Sequence, residues 1–233
     1  MIKTWHDVWE NKAERVDAPL TLTDLMRMDG YDISCSAVAN NDLIDFVKEL
    51  TNRFLSNDSE ILEVGCGAGA ICKILTDNDV KVTGIDYTKE LMSIAKQVMP
   101  NNLFIHSDAI SYDLEKKDFD LVLCHSVCQY FPSSDYMKKA MELMLNHTSR
   151  DGVIAITDVY DLELKEEHIK RRKEILGKRK YNELYKELSH YFFDRSFFIN
   201  FSKKNKLNIK IERQSLQQLV KNYKFNVYLS KIL

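Results

Sequence analysis

Three of the chain's seven glycines, Gly65, Gly67 and Gly69, fall within five residues. Ahead of them, Glu60–Val64 reads as a short apolar strand, and behind them Ala70–Thr76 has helical composition and spacing. A chain so sparing of glycine concentrates it there for a backbone reason. Glycine permits a tight turn and lets a ligand approach where a Cβ would stand in the way.

The strand-and-helix alternation continues. Residues 80–85 read as a second strand, followed by a helix at Lys89–Val98 that Pro100 ends. Leu103–His106 is a third strand and 119–124 a fourth, with a helix at 136–146. Asp151-Gly152 reads as a turn into a fifth strand, 153–159. Strands alternating with helices predict an α/β fold, a doubly wound and mostly parallel sheet with helices on both faces. Residues 162–186 read as charged and helical, and 207–212 and 225–229 as a strand pair closing one sheet edge. Residues 5–55 carry no convincing strand and end in an amphipathic helix at 41–55, with Leu43, Val47, Leu50 and Phe54 on one face. The expected organisation is a helical cover (1–55), a cofactor-binding core (56–160), a helical insertion or substrate lid (161–206) and a C-terminal strand pair (207–233).

Acidic residues follow successive strands in register with the glycine loop. Glu63 lies just before it, Asp86 ends the second strand, and Asp108-Ala109 follows the third. A carboxylate at Asp86 can accept both hydroxyls of a ribose, and one at Asp108 can accept from an exocyclic adenine amine. This pattern resembles the class I, Rossmann-like S-adenosylmethionine-dependent methyltransferases: an acid two residues before GxGxG, an acid ending the second strand, and an acid-small pair after the third. The FDLVLCHSVCQYF run, 119–131, fits that family's phenylalanine-aspartate fourth strand. The resemblance implies a seven-stranded sheet with an antiparallel last strand, and S-adenosyl-L-methionine as cofactor. It also implies a cofactor site of Glu63, Gly65, Cys66, Gly67, Gly69, Asp86, Tyr87, Asp108, Ala109 and His125, with Tyr31 presented by a turn at Gly30. The alternative cofactor, NAD, needs a pyrophosphate on a helix N-terminus, usually with GxGxxG. Here the spacing is GxGxG.

Acceptor groups are expected after the fourth and fifth strands. His125, Tyr130 and His190 are the candidate catalytic residues. Tyr130, Tyr160, His190, Tyr191, Arg171, Arg172 and Arg179 are candidate acceptor contacts. The three arginines belong to a stretch, 165–180, with eight basic and three acidic residues, a +5 excess in a chain of net charge -2. That stretch reads either as a solvated helix face or as a basic lid over an anion. Position 125–131 reads HSVCQYF, without the Asn/Asp-Pro-Pro-aromatic motif of adenine N6-methylation. The expected activity is methyl transfer to a small polar, anionic or phosphorylated metabolite, chiefly on oxygen. An RNA-modifying enzyme and a non-catalytic binding module are the alternatives. Five cysteines with no CxxC pair read as buried apolar residues, so neither disulfides nor a metal are expected. The charged N-terminal stretch and the lack of a long apolar run predict a cytoplasmic protein that meets no membrane, with nucleic acid disfavoured as a partner. Residues 5–32 are expected to order over bound ligand.

Overall fold

The computed structural model describes residues 4–10, 20–31, 36–115, 118–185, 188–213 and 223–232, with the backbone alone described at 36–40 and 184. Seven strands, β1 (Glu60–Val64), β2 (Lys81–Asp86), β3 (Leu103–His106), β4 (Phe119–His125), β5 (Thr148–Tyr160), β6 (Leu207–Arg213) and β7 (Lys224–Lys231), form one sheet in the order β3-β2-β1-β4-β5-β7-β6. β1 to β5 are mutually parallel, and β7 runs antiparallel between β5 and β6. The seven-stranded, mostly parallel α/β sheet and its antiparallel last strand are as the family resemblance implied.

Successive strand residues serve opposite cores. Ile61, Leu121 and Leu123 pack with α2 (Leu22–Met28), α3 (Ser36–Phe54), α4 (Ala70–Thr76) and α5 (Lys89–Val98). Leu62, Val64, Val122 and Cys124 pack with α6 (Ser134–Asn146) and α9 (Arg195–Asn205). A strand buried on both faces needs apolar side chains at every position, which is why β1 and β4 are near-continuous apolar runs. The four cysteines among the described residues, Cys66, Cys72, Cys124 and Cys128, are free and buried; Cys35 lies outside those residues. A short helix α1 (Trp5–Glu10) sits at the sheet's carboxyl end, where its His6 stacks on Tyr87 just after β2.

Residues 162–185 are helical as expected, though not in one piece. α7 (Lys165–Leu176) stops at Gly177, whose φ of 79° an α-helix cannot continue through, and α8 (Lys178–Tyr185) begins at once. Asp151-Gly152 is not the expected turn, because β5 runs straight through it. A Cβ on Gly152 would stand 2.7 Å from the Phe119 carbonyl oxygen, so the glycine serves close approach to β4 beside a register shift.

At its other end β5 shifts register against β7 between Ile156 and Val159, where Asp158 holds a left-handed φ of 66°. Asn226 of β7 accepts the Asp158 N–H at 3.0 Å, and Lys224 Nζ binds both carboxylate oxygens at 2.7 and 2.8 Å. Both partners of this pair are buried. Lys224→Met leaves that carboxylate buried and unpaired, and is expected to lower unfolding stability by about 3–5 kcal/mol. Adding Asp158→Asn should restore much of the loss. Urea denaturation of the three proteins checks this, and equal midpoints would show that the pair contributes nothing.

Candidate active site

The turn from β1 into α4 uses up its own backbone donors. The Gly65 and Cys66 N–H groups both donate to the Ile85 carbonyl, at 2.7 and 3.0 Å, and Gly69 donates to the Cys66 carbonyl at 2.9 Å. Gly67 donates to Asp86 Oδ2 at 3.0 Å. Ala68 and Ala70 donate to the two carboxylate oxygens of Asp29, the Ala70 bond measuring 3.0 Å. Six consecutive N–H groups are thus committed to acceptors within the protein. The glycines make room for these partners: a Cβ on Gly67 would fall 2.2 Å from Asp29 Oδ1, and one on Gly65 2.4 Å from Val127 Cγ2. The space at Gly67 is therefore filled first by the Asp29 carboxylate.

A cavity of about 490 Å³ opens over this turn at the carboxyl ends of β1, β2 and β4. Among the described residues four carboxylates line it, from Asp29, Glu63, Asp86 and Asp108, and no lysine or arginine does. Burial pushes the Glu63 carboxyl up to about 8, with Asp29 and Asp86 nearby adding to the shift against a hydrogen bond from the Cys72 thiol. Asp86 is also raised by burial, opposed by the N–H bonds from Thr88 and Gly67. Asp108 Oδ1 accepts from the Tyr136 hydroxyl and from the Ile110 N–H. A site with no free loop N–H and no described lysine or arginine is unsuited to a pyrophosphate. It suits a ligand that brings donors and positive charge.

The other end of the cavity is aromatic. Trp5 Nε1 donates to the Ser189 carbonyl at 3.1 Å, and its ring stacks on His190 at 4.6 Å and meets the edge of Tyr130 at 4.8 Å. His125, at the end of β4, shares a 2.8 Å hydrogen bond between Nδ1 and Thr157 Oγ1, and Phe46 packs on it at 4.4 Å. Burial lowers its pKa to about 4, so the imidazole is neutral at pH 7. On α1, His6, Asp7 and Glu10 bring potential metal-ligand atoms within 4.8 Å of one another, in an exposed group of a kind common without an ion.

A family described as a methyltransferase domain matches residues 55–196. The chain belongs to that methyltransferase-domain family. The methyltransferase is 28% identical over 109 residues to a ubiquinone biosynthesis O-methyltransferase of Haemophilus ducreyi, covering 43% of this chain and 45% of that protein. It is 25% identical over 108 residues to dTDP-3-amino-3,6-dideoxy-alpha-D-glucopyranose N,N-dimethyltransferase of Streptomyces fradiae, covering 46% and 42%. The matches thus span less than half the length of these curated relatives. Among solved structures, the PH0226 protein of Pyrococcus horikoshii OT3 superposes with a TM-score of 0.65 at 16% identity, over 88% of this chain and 93% of that one. The magnesium protoporphyrin IX methyltransferase of Synechocystis PCC 6803, solved with bound SAM, gives 0.59 at 12% identity over 97% and 90%. No helix among the chain's described residues is long and apolar enough to cross a membrane.

Of the residues expected in the methyltransferase's site, the cavity brings together Tyr31, Glu63, Gly65, Cys66, Gly67, Asp86, Tyr87, Asp108, Ala109, His125, Tyr130, His190 and Tyr191. Gly69 lies outside it, where its added Cβ would meet Met99 Cε at 2.7 Å. Tyr160, Arg171, Arg172 and Arg179 also lie outside the lining. Arg171 pairs with Glu174 and Arg179 with Glu183 on exposed helix faces, which takes both away from the cavity. Asp29 was missed as a functional residue. The DGYD run reads as a turn, and Gly30, with φ 83°, does end α2 there. That turn delivers Asp29 to the loop as well as Tyr31 to His125, with the two rings 6.4 Å apart.

A cationic ligand end beside Glu63 favours its carboxylate, so it lowers a pKa that stands at about 8 in the free protein. Below that pH, S-adenosylmethionine binding is expected to release a proton, and affinity should rise with pH until about 8 and then level. Calorimetry in buffers of different ionisation enthalpy reads the proton directly. Glu63→Gln should abolish the release, and a wild-type heat independent of buffer would refute the linkage.

Proposed function

We propose that this methyltransferase transfers the methyl group to an oxygen of a small polar metabolite held at the aromatic end of the cavity. The observation that carries the reading is the continuity of one cavity, from the acid-lined glycine turn to His125, Tyr130 and His190. In this reading Asp86 accepts the ribose hydroxyls, Asp108 and Ala109 face the adenine, and Glu63, Asp29 and the loop hold the amino-acid end. S-adenosylmethionine, when bound, supplies an electrophilic methyl on a sulfonium whose leaving group is a neutral thioether. The chain's own work is alignment and exclusion of water. Trp5, Trp9, Tyr130 and His190 enclose the acceptor, and His125 can take the hydroxyl proton. With Nδ1–H donated to Thr157, Nε2 is left as a neutral acceptor.

The aromatic acceptor end supports a small molecule over RNA. An RNA acceptor calls for a continuous basic surface, whereas Arg171 and Arg179 each have a glutamate partner. In the same reading residues 5–32 cover the site, with the turn after α2 anchored on the loop through Asp29; Asp32 lies outside the described residues. Cytoplasmic residence is consistent with this use.

Labelled S-adenosylmethionine offered with alcohols, phenols, amines and carbon acids is expected to label oxygen acceptors, with His125→Asn lowering kcat by about 10²–10⁴-fold. Label on nitrogen or carbon alone would overturn the oxygen assignment. Hydrogen exchange should slow across 5–10 and 20–31 when S-adenosylhomocysteine is added. Equal protection in both states would make the cover a fixed extension.

A further inference from the structure

Behind the Trp5–His190 wall, outside the cavity lining, lies a cluster of aromatic rings around one cation. Its centre is Arg172 of α7, a half-buried guanidinium that donates from Nη1 to the Tyr160 hydroxyl at 3.0 Å and from Nη2 to the Tyr185 hydroxyl, with its carbon 4.8 Å from the Tyr185 ring centre. These partners are neutral phenols. Two other buried or half-buried cations contrast with it: Arg195 has Asp161 and Lys224 has Asp158. Among the described residues no carboxylate lies within ion-pair distance of Arg172. Two of its five N–H donors are engaged, and both are on phenolic oxygens.

No described neighbour compensates this charge. His168, one helical turn before Arg172, is 1% exposed, and neither ring nitrogen has a hydrogen-bond partner. Burial, then Arg172, drive its pKa to about 3, and burial and Arg172 likewise hold His190 well below its usual value. Both imidazoles are therefore neutral. Lys224 lies 5.0 Å from the Tyr160 ring but is already paired with Asp158. Among the described residues the cluster thus holds a positive charge with no acidic partner and a buried imidazole with no hydrogen bond, set among aromatic rings. His190 joins it to the acceptor end: its ring lies 5.1 Å from Tyr160 and 5.2 Å from Tyr185 on one side, and under Trp5 on the other.

We propose that Arg172, with Tyr160 and Tyr185, forms the anion-binding subsite of this methyltransferase, taking a carboxylate or phosphate of an aromatic acceptor whose ring packs against Trp5, Tyr130 and His190. This inference rests on the acceptor end assigned under the proposed function and names the acceptor's class. A guanidinium fork suits either anion in a two-bond contact, and water exclusion by the surrounding rings strengthens it. The basic excess of 165–180 then reduces, for recognition, to one inward residue. Arg171 and Arg179 solvate the outer faces of α7 and α8.

The test uses the full chain loaded with S-adenosylhomocysteine and four aromatic probes: phenyl phosphate, benzoate, phenol and benzamide. Titration followed by calorimetry and by fluorescence of the two tryptophans is expected to give saturable binding of at least one anion. That binding should weaken tenfold or more in Arg172→Gln and stay unchanged in the double variant Arg171→Gln/Arg179→Gln. Phenol and benzamide should bind wild type and Arg172→Gln alike. The tighter of phenyl phosphate and benzoate identifies the anion. Unchanged affinity for S-adenosylhomocysteine establishes that Arg172→Gln is folded; should it fail, Arg172→Lys, which keeps the charge without the fork, is expected to weaken anion binding by a smaller factor. Anions that bind no wild-type protein, or bind Arg172→Gln as well as wild type, overturn the subsite. Labelled-methyl transfer reports separately on the oxygen-acceptor reading, so either can fail while the other stands.

Discussion

The site depends on two carboxylates that bind the loop backbone. Asp29 and Asp86 take the N–H groups of Gly67, Ala68 and Ala70, and the Ile85 and Cys66 carbonyls take the remainder from Gly65 to Gly69. A glycine turn at the head of a helix is ordinarily an anion trap, because its amides point outward unbonded. In this chain that potential is quenched from within. What the turn offers a ligand is acceptor oxygens under a roof of carboxylates, in a cavity lined by no lysine or arginine among the described residues. The electrostatics that reject a pyrophosphate are those that accept a sulfonium and an ammonium.

The same residues explain the coupling between the parts of the molecule. Asp29 belongs to the turn after α2, so the N-terminal helices meet the catalytic core at the one loop that defines it. At the far end, Asp158 closes β5 in a left-handed bend and is held there by Lys224 and Asn226 of β7. Thr157, the residue before that bend, sits against His125. The antiparallel last strand therefore helps hold His125, the base in the proposed reading, as well as completing the sheet.

The acids at Glu63, Asp86 and Asp108 were legible because strand ends in a parallel sheet open on one crevice, so local pattern and ligand site coincide. Asp29 was not, because its partners lie 39 and 41 residues away and nothing in DGYD marks which side chain the turn serves. Gly152 follows an aspartate, a pair that signals a turn, yet its conformation answers to a neighbouring strand. Arg172 is one of eight basic residues whose composition is uniform. Only the break at Gly177 and the packing of α7 turn that one side chain inward while Arg171 faces a glutamate. Local chemistry was readable from sequence, and facing was not.

The account rests most heavily on the quenched glycine turn. Its most direct test is calorimetric titration of the protein with S-adenosylhomocysteine and, separately, with ADP, which shares the adenosine but ends in a pyrophosphate. The account predicts one S-adenosylhomocysteine per chain and ADP binding at least a hundredfold weaker, about 2.7 kcal/mol or more. ADP binding as tightly as S-adenosylhomocysteine, or NAD binding while S-adenosylhomocysteine does not, would contradict it.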